Sequence, residues 1–156
     1  MSKASRNPSL VTEMITEEEV DRLFKEGFDC SQIVLAAVAD KLGITKEHAY
    51  AVASCFGIGM AQGGTCGAAS GAVMAIGIRY GNVRSGDLKT KSEVFAKRDE
   101  FIRRFQQMNG KVRCPDLLGR RVDTFEDLML LGASTDLFKD CPRYCVNAVK
   151  ILEEML

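Results

Sequence analysis

The stretch FGIGMAQGGTCGAASGAVMAIGIRYG, residues 56–81, decides how the chain folds. It contains eight of the fourteen glycines and a single charged residue, Arg79. We interpret it as a glycine-rich loop that leads into a helix beginning near Cys66. Glycine inside a helix costs about 1 kcal/mol relative to alanine, so Gly67 and Gly71 indicate that neighbouring helices or a bound group approach closely.

The segments on either side of this stretch carry helical patterns, and none shows the period-two alternation that is typical of strands. Before it, Thr16, Asp29 and Thr45 can each cap the N-terminus of a helix. After it, the apolar pattern predicts a long helix over 88–108 and a last helix that follows Asp140. The sequence therefore predicts an all-α fold: a compact single-domain bundle of about six to seven helices, in which a glycine-rich loop leads into a central small-residue helix.

The length of 156 residues suits one domain whose core needs neither a metal nor a disulfide. Residues 1–15 lack the apolar core of a signal peptide, and we predict a mobile N-terminal tail there and a single helical domain over 16–156. The longest apolar run, 72–78, is too short to cross a bilayer, so no membrane span is expected. These features together predict a cytoplasmic, reducing location.

The formal net charge is zero, which gives no reason to expect binding to nucleic acid or to an anionic membrane. The charge is uneven, because residues 89–121 carry ten Lys and Arg against four Asp and Glu. We interpret this excess as a solvated helix face, and the alternative is a surface for an acidic partner. The only histidine, His48, lies among charged neighbours at a predicted helix start and is interpreted as a surface residue.

Six cysteines are many for a protein of a reducing compartment, where they serve metal or redox chemistry more often than structural disulfides. Four of them lie at predicted helix starts, and we call these the helix-start cysteines: Cys30, Cys66, Cys114 and Cys141. A helix N-terminus offers unpaired N–H groups and a partial positive charge, which stabilise a thiolate. The pattern is typical of either a redox-active thiol set or a four-ligand site for an iron–sulfur cluster or zinc.

Glycines surround the central helix-start cysteine. Gly63, Gly64 and Gly67 flank Cys66 and would expose backbone N–H groups around it. We therefore include these glycines in the candidate site as backbone that contacts a bound cofactor. Tight packing of helices is the alternative explanation for the same residues.

The remaining cysteines, Cys55 and Cys145, lie inside predicted helices and are interpreted as core residues. Cys145 follows Cys141 by one helical turn on the same face, so it could also act as a partner or resolving thiol. The sequence lacks Cys-x-x-Cys, which argues against a thioredoxin-type site and against a zinc ribbon. It also lacks a phosphate-binding loop and the third glycine of a dinucleotide fingerprint.

Short motifs around the helix-start cysteines match a known pattern: FDCSQ at 28–32, GGTCGAASG at 63–71, CPDLLG at 114–119 and CPRY at 141–144. With these motifs the chain resembles the C_GCAxxG_C_C family of "putative redox-active proteins", which are small bacterial and archaeal chains. The resemblance extends over about residues 17–155, nearly the whole chain.

The resemblance implies a redox role for the helix-start cysteines. It places Cys141 rather than Cys145 at the last family position, because the residues that follow Cys141 fit better. The order Cys66-Gly67-Ala68 departs from the Gly-Cys-Ala of the family's name. Related sequences with an iron–sulfur or haem association make a cluster a further expectation, while no substrate is implied.

Three functions follow as hypotheses. The first is a redox protein that uses its clustered cysteines for thiol–disulfide exchange or electron transfer, and as an enzyme it would be a thiol-based oxidoreductase. Cys66 would exchange with a second cysteine or with an unidentified redox partner. The second is a protein whose helix-start cysteines hold an iron–sulfur cluster or zinc. The third is a non-catalytic helical interaction module with buried thiols. Small-residue helix faces also favour self-association, so we expect a homodimer.

Overall fold

The computed structural model describes residues 13–132 and 136–156 of the chain. Residues 1–12, most of the predicted N-terminal tail, lie outside the described residues. Within the described ranges the chain forms nine α-helices and no strand, which confirms the all-α prediction. The helices are α1 (Glu17–Lys25), α2 (Cys30–Ala37), α3 (Ala39–Leu42), α4 (Lys46–Ala53), α5 (Gly67–Tyr80), α6 (Leu88–Asn109), α7 (Cys114–Leu118), α8 (Phe125–Gly132) and α9 (Cys141–Met155).

The described ranges contain more helices than the sequence predicted, partly because one predicted helix is divided. The helix after Asp29 was expected to run to Gly43, but the backbone of Val38, at φ −113° and ψ 8°, separates α2 from α3. In the region where the sequence pattern was weakest, a short helix over 125–131 is one interpretation of the sequence, and α8 forms there.

Side-chain caps fix where several helices begin, as the sequence predicted. Thr16 and Glu19 form a capping box at α1: the N–H of Thr16 donates to Glu19 Oε2 at 2.9 Å, and the N–H of Glu19 donates to Thr16 Oγ1 at 3.2 Å. Thr45 caps α4 by accepting a backbone N–H at 3.1 Å. At α2 the N–H of Asp29 donates to Gln32 Oε1 at 2.9 Å. These bonds satisfy groups that the ends of helices leave unpaired.

Helix α5 lies at the centre and packs against α2, α6 and α9. A Cβ at Gly71 would collide with the carbonyl group of Ser31 in α2, so the two helices approach as closely as only glycine permits. The alanines of α5 that are fully buried are Ala68, Ala69, Ala72 and Ala75. Larger side chains of the surrounding helices fill the core around them, including Ile33, Leu35, Phe101, Phe105, Ile151 and Leu152.

The small-residue faces of α5 are thus covered by other helices of the same chain. The homodimer was predicted from such faces; it stays a prediction, and it would need a different surface. One cluster of buried side chains extends from α1 to α9. The single domain over 16–156 stays a prediction. None of the helices in the described part of the chain is long and apolar enough to cross a membrane.

The basic excess over 89–121 lies largely on α6, where several of its cations contact groups of the same chain. Arg104 pairs with Glu154 of α9. The Lys97 ammonium lies 4.2 Å from the centre of the Tyr80 ring. These contacts agree with a helix face that balances acidic and aromatic neighbours.

Candidate functional site

A backbone bridge joins the start of α5 to the start of α7. Thr65 and Arg113 face each other as an isolated antiparallel pair. On one side of this pair the N–H of Cys66 donates to the carbonyl of Val112 at 2.8 Å. On the other side the N–H of Cys114 donates to the segment before α5, also at 2.8 Å. The bridge therefore holds two cysteines at neighbouring helix starts.

Two glycine contacts bring further groups to the same place. A Cβ at Gly67 would collide with Cys30 Sγ and would come within 3.0 Å of Gly57 Cα. A Cβ at Gly59 would come within 3.0 Å of Cys114 Cβ. Both contacts depend on the absence of a side chain, which explains why glycine occupies these positions.

The glycines that were predicted to surround the central cysteine serve the local backbone in different ways. Gly63 has a left-handed φ of 66°, and its carbonyl accepts a hydrogen bond from Arg113 Nη2 at 2.6 Å. The N–H of Gly64 donates within the same loop at 3.0 Å. Gly67 leaves the space that Cys30 fills. Their contact with a bound cofactor stays a prediction.

A left-handed turn over residues 58–61 covers this part of the site. The φ angles of Ile58, Gly59, Met60 and Ala61 are 57°, 61°, 59° and 49°. The left-handed conformation costs an L-residue roughly 1–2 kcal/mol, and a β-branched side chain makes it rarer still. Runs of this kind persist where surrounding structure enforces them, and they concentrate at functional sites. The sequence predicts a loop here but not its left-handed conformation.

Helix α9 adds two thiols to the site. Burial raises the pKa of Cys141 most, and the neighbouring Cys30, Cys66 and Cys114 raise it further. Burial also raises the pKa of Cys145 well above its usual range, with smaller contributions from Cys30, Cys66 and Cys141. The structure thus brings all four helix-start cysteines together and adds Cys145 to them. We call these residues the cysteine cluster.

The two cysteines that were predicted to fill the core differ in outcome. Cys145 is fully buried, as predicted, although it also faces the helix-start cysteines. For Cys55 the prediction is wrong, because its side chain is exposed. Helix α4 ends at Ala53, earlier than the sequence pattern indicated, so Cys55 leaves the buried face of that helix.

Burial dominates the electrostatics of the cluster. It raises the pKa of Cys66 to about 11 and the pKa values of Cys30 and Cys114 to about 12. The backbone N–H groups of Ala68 and Ala69 lower the pKa of Cys66, yet the thiol forms no capping hydrogen bond. Helix starts were expected to stabilise thiolates here. That expectation is wrong, because the loss of solvation outweighs the helix ends and keeps the thiols protonated at neutral pH.

Access from solvent differs among the thiols. Cys66 and Cys114 are 6% and 8% exposed, and Cys145 is fully buried. Cys30 and Cys141 are only partly buried. Cys30 and Cys141 are therefore the more accessible residues of the cluster, although burial is the largest cause of the raised pKa of both thiols.

All six cysteines lie in the described ranges and are free thiols. Within those ranges no group of three or more His, Cys, Asp or Glu side chains is arranged to hold a metal ion. The four helix-start cysteines thus converge without forming a ready set of metal ligands.

One acidic side chain, which the sequence predicts only as a helix cap, also enters the site. The carboxyl group of Asp29 packs on Gly57, where an added Cβ would come within 2.8 Å of Oδ2. Burial raises the pKa of this carboxyl. Its position directly before Cys30 was the available signal, but a capping role explains an aspartate there equally well.

Comparison with known proteins connects this site to a family. Residues 28–155 match the family model described as "Putative redox-active protein (C_GCAxxG_C_C)", and the matched range contains the whole cysteine cluster. No curated protein and no solved structure matches the chain. Since the family model covers most of its length, the chain belongs to the C_GCAxxG_C_C family.

Proposed function

We propose that the cysteine cluster is a thiol–disulfide redox centre that exchanges electrons with a disulfide of a partner molecule. The observation that carries the proposal is the convergence of Cys30, Cys66, Cys114 and Cys141 from four separate helices. Cysteines that only fill a core need no such convergence. The family's description as redox-active agrees with this role.

The proposed reaction proceeds through a mixed disulfide. A cluster sulfur attacks the partner disulfide, so that one sulfur–sulfur bond forms and the partner's own bond breaks, releasing the first partner thiol. A second cluster sulfur then attacks the mixed disulfide and releases the second partner thiol. Two cluster thiols are thereby oxidised to a disulfide, and the partner disulfide takes up the two electrons and two protons.

The structure favours an order for these steps. Cys30 is partly exposed, and its Sγ lies against Gly67, next to Cys66. Cys66 is only 6% exposed. We therefore assign the first attack to Cys30 and the resolving attack to Cys66, with Cys114 and Cys141 as neighbouring thiols of the same centre.

A direct test is oxidation of the anaerobically purified protein by 2-hydroxyethyl disulfide at pH 9, followed by peptide mass spectrometry. We expect an intramolecular disulfide within the cluster, with Cys30–Cys66 as the first pair. In C66S the Cys30 thiol should instead stay trapped as a mixed disulfide. The matched control is C55S, which removes an exposed thiol outside the cluster and should behave like the wild type.

Two results would overturn the proposal. One is a wild-type protein in which only Cys55 reacts and no intramolecular disulfide forms. The other is a brown protein with stoichiometric iron after anaerobic purification, which would establish the iron–sulfur alternative instead.

The cellular setting is part of the proposal. A reducing compartment such as the cytoplasm would return the cluster to its thiol form between reactions. We propose that location, a partner that carries a disulfide, and a homodimer as the assembled form. Light scattering after size exclusion measures the oligomeric state.

A further inference from the structure

We infer that Asp29 is the proton acceptor of the thiol centre and takes the proton of Cys30 when its sulfur attacks a disulfide. This inference rests on the proposed function. It assigns a second chemical group to the site, a carboxylate that works together with the first-attacking thiol.

The Asp29 carboxylate and the Cys30 thiol pack on two glycines that contact each other. Gly57 and Gly67 lie against each other, since a Cβ on Gly67 would come within 3.0 Å of Gly57 Cα. The Asp29 carboxyl packs on Gly57, and Cys30 Sγ packs on Gly67. A side chain at either glycine would push one of these two groups away.

The charges around the pair make a proton acceptor necessary. The groups that face Cys30 are Cys66 of α5, Cys114 of α7, and Cys141 and Cys145 of α9, together with the N–H groups of Ile58 and Ser31. None of these is a cation. Of the ion pairs in the described part of the chain, none includes Asp29.

Transfer of the Cys30 proton to Asp29 avoids a second negative charge beside the carboxylate. If Cys30 simply lost its proton to water, a second negative charge would develop beside the carboxylate. If the proton moves to Asp29, the thiolate forms while the carboxylate becomes neutral, and the charge of the pair is unchanged. The same carboxyl then protonates the thiolate that leaves the partner disulfide, so the proton balance closes.

Other proton acceptors of the chain are less well placed. His48 is exposed on α4. Asp140 also directly precedes a cluster cysteine, but its carboxyl is 47% exposed and lies 3.7 Å from Arg143. Asp29 is partly buried, and its carboxyl forms no ion pair within residues 13–132 and 136–156. Asp140 therefore provides a matched control: an aspartate in the same position relative to a cysteine, with a different environment.

The experiment measures the rate at which Cys30 reacts with 2-hydroxyethyl disulfide from about pH 3.5, below the ordinary pKa of an aspartate, to pH 9, in chelator-treated protein, by quenched peptide mass spectrometry. In the wild type we expect a rise with pH that begins as the Asp29 carboxyl ionises. In D29N this acid limb should vanish, and the rate at pH 7 should fall about 100-fold. D140N should keep the wild-type profile. Asparagine caps helices as well as aspartate, and circular dichroism checks that D29N is folded.

The opposite result is equally clear. If Asp29 acted only through its charge, D29N would react faster than the wild type, because the carboxylate raises the pKa of Cys30. A rate in D29N equal to or above that of the wild type overturns the inference.

The wild-type profile is a second measurement that needs no variant. A rate that rises tenfold per pH unit throughout the range, as simple thiol ionisation requires, also overturns the inference. If wild-type Cys30 forms no disulfide at all, the proposed function fails first and the inference with it.

Discussion

Gly67 and Gly77 belong to the same helix but have opposite surroundings. A Cβ at Gly67 would collide with Cys30 Sγ and approach the carbonyl of Phe56 to 3.2 Å, whereas a Cβ at Gly77 meets nothing within 4 Å. We expect G67A to destabilise the protein by about 1–3 kcal/mol through overpacking. G77A should stabilise it by up to about 1 kcal/mol, because alanine favours the helix.

Urea unfolding of the two variants measures both effects, and G77A is the control for helix propensity. The clash at Gly67 should also displace the Cys30 thiol, which makes it more reactive towards iodoacetamide. A G67A protein as stable as G77A, with an unchanged Cys30 thiol, would contradict the close contact.

The sequence identified the reactive residue types but not their ionisation. Cysteine at a helix start predicts a stabilised thiolate when the end of the helix is solvated. In the fold the same sulfurs are buried among one another, and burial sets the direction of their pKa values. That environment arises from contacts between distant segments, which local patterns do not contain.

At the scale of elements, the left-handed turn is the segment whose conformation is most at odds with its residues. Met60 has a φ of 59° and a side chain that is 55% exposed, so its backbone strain can be tested separately from packing. We expect M60G to be more stable than M60A by about 1 kcal/mol, because only glycine adopts this conformation without cost.

The comparison of M60G with M60A removes the same side chain in both variants. The unfolding free energies of the two variants then differ only because glycine and alanine differ in backbone freedom, both in the folded and in the unfolded state. If M60A proves equal to or more stable than M60G, the turn is not left-handed in solution.

Helices α1 and α4 were predictable because each carries its own signals. Thr16 with Glu19 and Thr45 indicated the starts of α1 and α4, and the structure confirms both caps. The left-handed turn has no such signal, since Ile58 and Met60 are residue types that avoid positive φ. Its conformation is imposed by the contacts of Gly59 with Gly64 and Cys114.

For the whole molecule, the raised thiol pKa values predict a loss of stability at alkaline pH. Thiols of the unfolded chain ionise at about pH 8.5. Those of Cys30, Cys66 and Cys114 ionise in the folded protein at about 11 to 12. Below the unfolded pKa the stability is complete, and above it the unfolded state releases protons first, so stability falls as pH rises towards the folded values.

Urea unfolding at pH 7, 9 and 10 under reducing conditions measures this dependence. Lysine and tyrosine also ionise in this range, so a C66A/C114A variant serves as the control and should show a shallower decline. Equal slopes for the variant and the wild type would contradict the thiol contribution.

The fold class and the set of converging cysteines could be predicted, the first from apolar periodicity and the second with the help of the family resemblance. The exposure of Cys55 could not, because it depends on where α4 ends. The place of Asp29 in the site depends on its packing against Gly57, a residue far along the chain. Both follow from tertiary contacts, which one sequence leaves undetermined.

The bridge between Thr65 and Arg113 closes a loop of chain that contains α5 and α6. Its two hydrogen bonds are made by backbone N–H groups of Cys66 and Cys114 themselves. Any fluctuation that separates α7 from α5 must break both bonds together. The centre therefore opens as one cooperative unit, and exposure of one of these two cysteines entails exposure of the other.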